Sequence, residues 1–271
     1  MIKSAVTIAL VPQIKSGPWI FWNDLEKSLE KAAALGFDAV ELFTASADAI
    51  DPIHFGALLE KHQLQLAAVG TGAGKVLHGL TLTDPDATVR KKAISFISDM
   101  ISFGAKFGAP AIIGSMQGNV LPNGNREETM AWLTDGLKIL EKHEQEKGVF
   151  LIYEPLNRYE TNLLNTLESA VDFLRKNNLE NTKLLADLFH MNIEESDLSA
   201  SIRDFGGYVG HVHFADSQRS PMGLGHTDMM PIADALRKIG YSGYVSAEAF
   251  PHPDPDAAAE QTIKAFRKYF G

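Results

Sequence analysis

Short apolar runs alternate with amphipathic segments along the whole chain. The runs are about four to eight residues long and mostly rich in β-branched side chains, as expected of buried strands. They are Ala5–Leu10, Ala39–Phe43, Gln65–Val69, Ala111–Gly114, Val149–Glu154, Lys183–Asp187, Tyr208–Phe214 and Tyr244–Glu248. Between them, apolar residues recur with a period of about 3.6, which predicts helices. The predicted helices include Asp24–Leu35, Asp86–Phe107, Glu127–Gln145, Leu167–Lys176 and Ala257–Phe270.

Glycines mark the ends of predicted helices. Gly36, Gly108 and Gly240 each follow a helical segment and precede an extended run, which is a common position for a glycine cap. Alternating strands and helices form either an open doubly wound sheet or a closed barrel. No glycine-rich phosphate loop follows the first strand, so we predict an α/β fold of the (β/α)8 TIM barrel class. No linker interrupts the pattern, and residues 1–271 are predicted to form a single domain.

The composition suits one large enzyme domain. The chain has 271 residues, of which 45% are hydrophobic and 22% charged, as in other barrels of eight βα units. The net charge of −9, without a basic run, argues against a nucleic-acid partner. No apolar run approaches the roughly 18 residues of a membrane span. The short apolar run at residues 1–12 is interpreted as a strand and not as a signal peptide, so we expect a cytoplasmic enzyme.

Four consecutive late strands end in side chains that can bind a metal: Glu154, Asp187, His213 and Glu248. Taken singly, each is more simply a polar residue that marks a strand end. In a barrel these ends converge on one mouth, where three buried carboxylates would repel one another unless a cation held them. Because the chain has no cysteine, the donors are oxygen and imidazole, which suit Mn²⁺, Mg²⁺ or Co²⁺ better than Zn²⁺.

Three further polar residues follow these strand ends closely. Glu160, His190 and Arg219 are each placed in a βα loop, from which they could reach a ligand above the metal. Considered alone, each would more simply cap a helix or pair at the surface.

Two other polar residues lie on predicted strands. His211 shares the inward face of its strand with His213, one layer deeper, and is interpreted as a core histidine. Glu41 ends the second strand, where it either orients a group in the mouth or is a structural carboxylate.

These motifs resemble the ketose 3-epimerases, namely the D-tagatose and D-psicose 3-epimerases of the xylose isomerase-like barrel superfamily. The matching motifs are the run from Glu154 to Glu160, Asp187 with His190, His211-Val-His213 with Arg219, and Glu248. The resemblance implies that Glu154, Asp187, His213 and Glu248 bind a divalent metal, usually Mn²⁺. It implies that Glu160, His190 and Arg219 bind a small-molecule sugar, and that the protein is a homodimer or homotetramer.

The close match is confined to the second half of the chain. In the first half, the aromatic residues near the first strand lie at Trp19, Phe21 and Trp22. Ser115–Gln117 stands where the ketose 3-epimerases are expected to have a more apolar wall of the substrate site. The sugar is therefore not identified.

The predicted reaction interconverts ketoses at C3 through an enediolate. Glu154 and Glu248 come from well-separated strands and would serve as the catalytic base and acid, while a bound cation stabilises the developing negative charge. An aldose–ketose or hydroxypyruvate-type isomerase needs nearly the same residues and is the alternative. We rank two further enzymes below this alternative. One is a C-glycoside-cleaving lyase subunit. The other is a metal-dependent DNA-repair endonuclease, which would need more metal ligands and a basic face to bind DNA. A non-catalytic sugar-binding module would not need both glutamates.

Overall fold

A closed parallel barrel forms the centre of the protein in the computed structural model, which describes residues 1–271. Its strands are β1 (Lys3–Leu10), β2 (Phe21–Trp22), β3 (Ala39–Thr44), β4 (Gln65–Gly70), β5 (Ala111–Ile113), β6 (Leu151–Tyr153), β7 (Thr182–Asp187), β8 (Val209–His213) and β9 (Tyr244–Ala247). The sheet order is β2-β1-β3-β4-β5-β6-β7-β8-β9, and β1 also pairs with β9. The two-residue β2 lies beside β1, so eight strands close the barrel. The predicted (β/α)8 fold is confirmed.

Helices follow the barrel strands. They are α1 (Leu25–Leu35), α2 (Pro52–His62), α3 (Ala73–His78), α4 (Ala87–Ala105), α5 (Arg126–Lys147), α6 (Leu167–Asn177), α7 (Leu188–Glu194), α8 (Leu198–Phe205), α9 (Met229–Lys238) and α10 (Pro255–Phe270). Asp24 and Asp86 cap α1 and α4 by accepting backbone N–H bonds, and Gly36 ends α1 in the left-handed conformation with φ of 82°. None of these helices has the length and apolar character needed to cross a membrane.

The predicted element boundaries differ from the observed ones by a few residues. The run Val149–Glu154 is a strand only from Leu151 to Tyr153, because Val149 still donates its N–H to the Glu144 carbonyl in the last turn of α5. At the carboxyl ends of the strands, Glu154 and Glu248 lie just past β6 and β9, whereas Asp187 and His213 are the last residues of β7 and β8.

The main core contains 64 buried hydrophobic residues. A separate small cluster of Ala68, Ile112, Ile152 and Leu185 comes from four successive strands, β4 to β7. Polar side chains are buried near the carboxyl ends of the strands, which is the end of a TIM barrel that carries function. The buried acidic and imidazole groups there are Glu41, Glu154, Asp187, His190, His211, His213 and Asp216.

Candidate active site and metal centre

The register of the last strands brings the predicted metal ligands together. Asp187 is the pairing partner of His213 across β7 and β8, and His213 pairs in turn with Ser246 of β9. Glu154 follows β6 and Glu248 follows β9. Four adjacent strands thus deliver one side chain each to the same part of the mouth.

His213 lies at the centre of this group. Its Nδ1 is 3.1 Å from Asp187 Oδ2, 3.4 Å from Glu248 Oε2 and 3.6 Å from Glu154 Oε1. One donor atom from each of the four residues lies within 4.8 Å of all the others. The side chains of His213, Asp187 and Glu154 are buried, and that of Glu248 is 15% exposed. The structure therefore forms a compact set of three carboxylates and one imidazole.

Burial and neighbouring charges pull the pKa values of this group in different directions. Burial raises the pKa of Glu154 above its ordinary value, against the opposing effect of His213. Burial would also raise the pKa of Glu248, but Arg219 and His213 outweigh it and the pKa is lowered. The pKa of His213 is raised, because the charges of Glu41 and Glu248 outweigh its burial. The positive charges of Arg219 and His213 thus offset part of the repulsion among the carboxylates.

The residues present fit a divalent cation. Glu154 Oε1 and His190 Nε2 are buried without a hydrogen-bond partner, a costly arrangement that a ligand between them would relieve. The donors are carboxylate oxygens and an imidazole nitrogen, which suit a hard or borderline ion such as Mn²⁺ or Mg²⁺. The cluster is therefore able to hold a divalent metal.

The three residues predicted to bind substrate line the same cavity as Glu154 and Glu248. Glu160 and Arg219 lie in loops, as expected, 3.7 Å apart between Glu160 Oε1 and Arg219 Nη1. The prediction of a loop was wrong for His190, which lies in helix α7. The helix starts directly after β7, because Asp187 Oδ1 accepts the N–H groups of Phe189 and His190 at 2.7 and 3.1 Å.

Arg219 is held tightly above the carboxylates. Its guanidinium pairs with Glu248, lies 3.7 Å from Asp187 Oδ2 and stacks 4.9 Å from the centre of the Phe189 ring. Its backbone has φ of 60°, an uncommon conformation for a residue other than glycine.

Asp216 fixes the loop that carries Arg219, and the sequence interpretation missed it. Its buried carboxylate accepts N–H bonds from Ser217, Gly223 and Thr227 at 2.8, 2.7 and 3.0 Å. These backbone donors lower the pKa of Asp216, although its burial alone would raise it. No spacing rule identifies such a residue, because all of its partners are backbone groups.

The first half of the chain supplies the opposite wall of the cavity, whose volume is about 240 Å³. Trp19 stacks on Phe43 with ring centres 4.3 Å apart, and both line the cavity together with Ser115. Gly114 lies so close to Glu154 that a Cβ atom at this position would overlap Glu154 Oε2. The wall is thus partly aromatic and partly polar.

Glu41 and His211 form a second buried group behind His213. Glu41 Oε2 lies 2.7 Å from His211 Nε2, and Glu41 Oε1 lies 3.1 Å from His213 Nε2. Burial would raise the pKa of Glu41, but the charges and hydrogen bonds of His213 and His211 lower it. Glu41 and His211 are therefore part of the polar interior next to the four candidate metal ligands.

Sequence comparison agrees with this architecture. The family described as xylose isomerase-like TIM barrel matches residues 29–269. The chain belongs to this family. Within the family, this xylose isomerase-like barrel is 32% identical over 240 residues to the D-psicose 3-epimerase of Ruminiclostridium cellulolyticum, covering 84% of the chain and 78% of the relative. It is 37% identical over 116 residues to the 3-dehydro-D-guloside 4-epimerase of Escherichia coli, covering 43% of the chain and 44% of the relative.

Solved structures show the same fold. The structure of an L-ribulose 3-epimerase superposes on this xylose isomerase-like barrel with a TM-score of 0.83 and 24% identity, covering 99% of the chain and 94% of the relative. The family match over residues 29–269 and the 32% identity to a D-psicose 3-epimerase confirm, at the level of family, the resemblance predicted from the motifs.

Proposed function

We propose that this chain is a metal-dependent ketose 3-epimerase, an isomerase that interconverts ketoses at C3 through an enediolate. The observation that carries the proposal is the convergence of Glu154, Asp187, His213 and Glu248 on one point of the barrel mouth. The identity to a D-psicose 3-epimerase over most of the chain supports the same reaction.

Glu154, Asp187, His213 and Glu248 are the proposed metal ligands. A divalent cation bound there would supply Lewis acidity, which stabilises negative charge on substrate oxygens. We propose Mn²⁺, because the donors are carboxylate and imidazole and the chain has no thiolate to favour zinc.

Glu154 and Glu248 are the proposed proton-transfer groups. They follow β6 and β9, so two strands separate them in the barrel. One carboxylate removes the C3 proton from one face of the sugar, and the other returns a proton to the opposite face. The two roles exchange when the reaction runs in reverse.

Glu160, His190 and Arg219 are proposed to hold the sugar. His190 Nδ1 is bonded to the Asn157 side chain at 2.7 Å, which fixes the ring and leaves the buried Nε2 without a protein partner. Arg219 and Glu160 supply hydrogen-bond donors and acceptors for hydroxyl groups. Trp19 and Phe43 offer flat apolar surfaces to the C–H groups of the sugar.

The cavity favours a sugar without a phosphate group. Its lining contains Glu41, Glu154, Glu160 and Glu248 but a single arginine or lysine, Arg219, which is already paired with Glu248. Binding a phosphate usually requires several cationic side chains or a free helix N-terminus. The N-terminus of α7 is capped by Asp187. That of α3, a helix of six residues, is uncapped at Gly72 and lines the cavity, so it is the acidic lining that disfavours a phosphate.

Product analysis tests the function. The protein is incubated with Mn²⁺ and free or phosphorylated ketoses, including a ketose deuterated at C3, and products are identified by NMR. We expect the C3 epimer of a free ketose and loss of the C3 deuterium to solvent. An aldose product would establish the isomerase instead, and a fully retained label with no product from any ketose would rule the proposal out.

A 4-epimerase is the second candidate, favoured by the relative named 3-dehydro-D-guloside 4-epimerase. In a sugar with a ketone at C3, the proton on the neighbouring C4 would be removed and returned by the same carboxylate pair. The same NMR experiment with a 3-keto glycoside separates the two reactions, because the inverted carbon is read directly.

We further propose a cytoplasmic location, a homodimer or homotetramer, and a single domain over residues 1–271. The single domain is supported by one continuous cluster of 64 buried hydrophobic residues. The assembly state follows from the resemblance to the epimerases, and light scattering checks it.

A further inference from the structure

The His213 ring lies between two separate sets of carboxylates. Its Nδ1 faces Asp187, Glu248 and Glu154 at 3.1 to 3.6 Å. Its Nε2 faces Glu41 Oε1 at 3.1 Å. A neutral imidazole carries its proton on one nitrogen and a lone pair on the other. The group that faces Nε2 therefore determines whether Nδ1 carries the proton or the lone pair.

Glu41 is itself held in place from the other side. Its second oxygen, Oε2, lies 2.7 Å from Nε2 of His211. Glu41 and His211 are 5% and 1% exposed, so solvent does not compete effectively for these bonds. Glu41 belongs to β3, which lies three strands from β8 around the closed barrel, past β9 and β1, and β8 carries both histidines.

We propose that Glu41, anchored by His211, is the positioning residue that accepts the Nε2–H of His213 and so keeps the Nδ1 lone pair free for the metal. The inference rests on the metal site of the proposed function. A carboxylate behind a ligating imidazole fixes the ring orientation and the tautomer and makes the nitrogen at the metal more basic. The expected effect of Glu41 is therefore on metal affinity.

A second ion bound by Glu41, His211 and His213 is the competing interpretation, since these three also offer donor atoms within 4.8 Å of one another. Two observations favour hydrogen bonds. Glu41 uses a different oxygen for each imidazole, and the separations of 2.7 and 3.1 Å are those of N–H···O bonds. An ion on each nitrogen of His213 would also require the ring to lose both protons.

Metal binding by the Glu41→Gln variant tests the proposal. Mn²⁺ is titrated calorimetrically into metal-free wild type, Glu41→Gln and the matched control Glu141→Gln. Glu141 is also buried, but it accepts hydrogen bonds from Asn181 and Thr182 at the start of β7, whereas Asp187 of the site is the last residue of that strand. We expect one ion per chain in wild type, and an affinity that is about 10 to 100 times weaker in Glu41→Gln only.

NMR of the Mg²⁺-loaded protein supplies a readout that a merely structural role would not change. In wild type, we expect His213 to carry a slowly exchanging, downfield-shifted proton on Nε2 and none on Nδ1. In Glu41→Gln this resonance should move upfield or exchange away, while Glu141→Gln keeps it. If Glu41→Gln does not fold, the His211→Gln variant should show the same loss of affinity and the same change of the resonance, in weaker form.

The outcomes separate the two proposals. Failure of the wild type to bind any divalent ion would remove the proposed metal site itself. One ion per chain with equal affinity in wild type and Glu41→Gln would overturn the role of Glu41. Two ions in wild type and one in Glu41→Gln would establish the second metal site instead.

Discussion

Asp187 uses its two oxygens for different purposes. Oδ1 caps helix α7 through two backbone N–H groups, and Oδ2 faces His213 at 3.1 Å. Glu248 is shared in a similar way, since it pairs with Arg219 and also lies 3.4 Å from His213. Single residues of this site therefore combine structural and chemical roles, so a substitution at one of them removes more than one interaction.

The Glu154→Gln and Glu248→Gln variants remove an ionisable group while keeping side-chain size. We expect both to fold and to lose turnover by about 10² to 10⁴-fold, the usual contribution of a general acid or base. Steady-state kinetics measures kcat, with the exposed Glu127→Gln as the control. Near-normal kcat in both site variants would rule out the carboxylate pair.

Gly114 is needed for the position of Glu154. A methyl group at Gly114 would overlap Glu154 Oε2. We expect Gly114→Ala to displace Glu154 and to weaken Mn²⁺ binding by about 10- to 100-fold, as for other changes that disturb a ligand's orientation. Gly207→Ala is the matched control, because a methyl group at Gly207 would meet no atom within 4 Å. Equal Mn²⁺ affinity in both variants would contradict the argument.

At the scale of elements, helix α5 carries two buried glutamates on the side that packs against the barrel. Glu141 is hydrogen-bonded to Asn181 and Thr182, whereas neither carboxyl oxygen of Glu144 has a hydrogen-bond partner. Burial raises the pKa of Glu144 to about 9. The helix thus tolerates an acid that stays protonated at neutral pH.

The Glu144→Met variant should be more stable than wild type at neutral pH. The folded-state pKa of about 9 lies above the ordinary 4.5, so the folded protein holds a proton that the unfolded chain releases. Wild-type stability therefore falls as pH rises from about 4.5 towards 9, by about 3 kcal/mol at pH 7. Urea unfolding at pH 5 and pH 8 measures this, with Glu127→Met on the same helix as control. A stability difference that does not grow with pH would contradict the prediction.

At the scale of the whole molecule, the candidate ligands come from four successive strands, β6 to β9, and β9 closes the barrel against β1. An ion held by all four would link the strands at their carboxyl ends. Without it, three carboxylates share a small buried space, which opposes folding. Metal binding should therefore be coupled to the stability of the folded protein.

Removing divalent metal should lower the melting temperature. A ligand at 100 times its Kd stabilises the folded state by about 2.7 kcal/mol, which corresponds to roughly 5 to 10 °C for a domain of this size. Thermal unfolding is followed after chelation and again after adding Mn²⁺. The Glu154→Gln variant should show a smaller recovery, and an unchanged melting temperature with Mn²⁺, Mg²⁺ and Co²⁺ in wild type would disprove the coupling.

The sequence predicted most of the barrel and placed its candidate ligands at the right strand ends. Asp187 and His213 could be found because they end apolar runs, and strand ends of a barrel converge whatever the loops do. The helical position of His190 was missed, because the helix begins only through the cap that Asp187 provides. Asp216 was missed because its partners are backbone N–H groups of its own loop.

Periodicity and the chemistry of the strand ends were determined by the sequence alone, because both depend on residues that are close along the chain. The contact between Glu41 and the two histidines was decided only by the tertiary structure, across 170 residues or more. The strands that carry these residues also have irregular register, with shifts at Val40/Glu41 between β3 and β4 and at Leu184/Leu185 between β7 and β8. A one-residue change in register moves a side chain to the other face of a strand, and spacing along the sequence does not encode it.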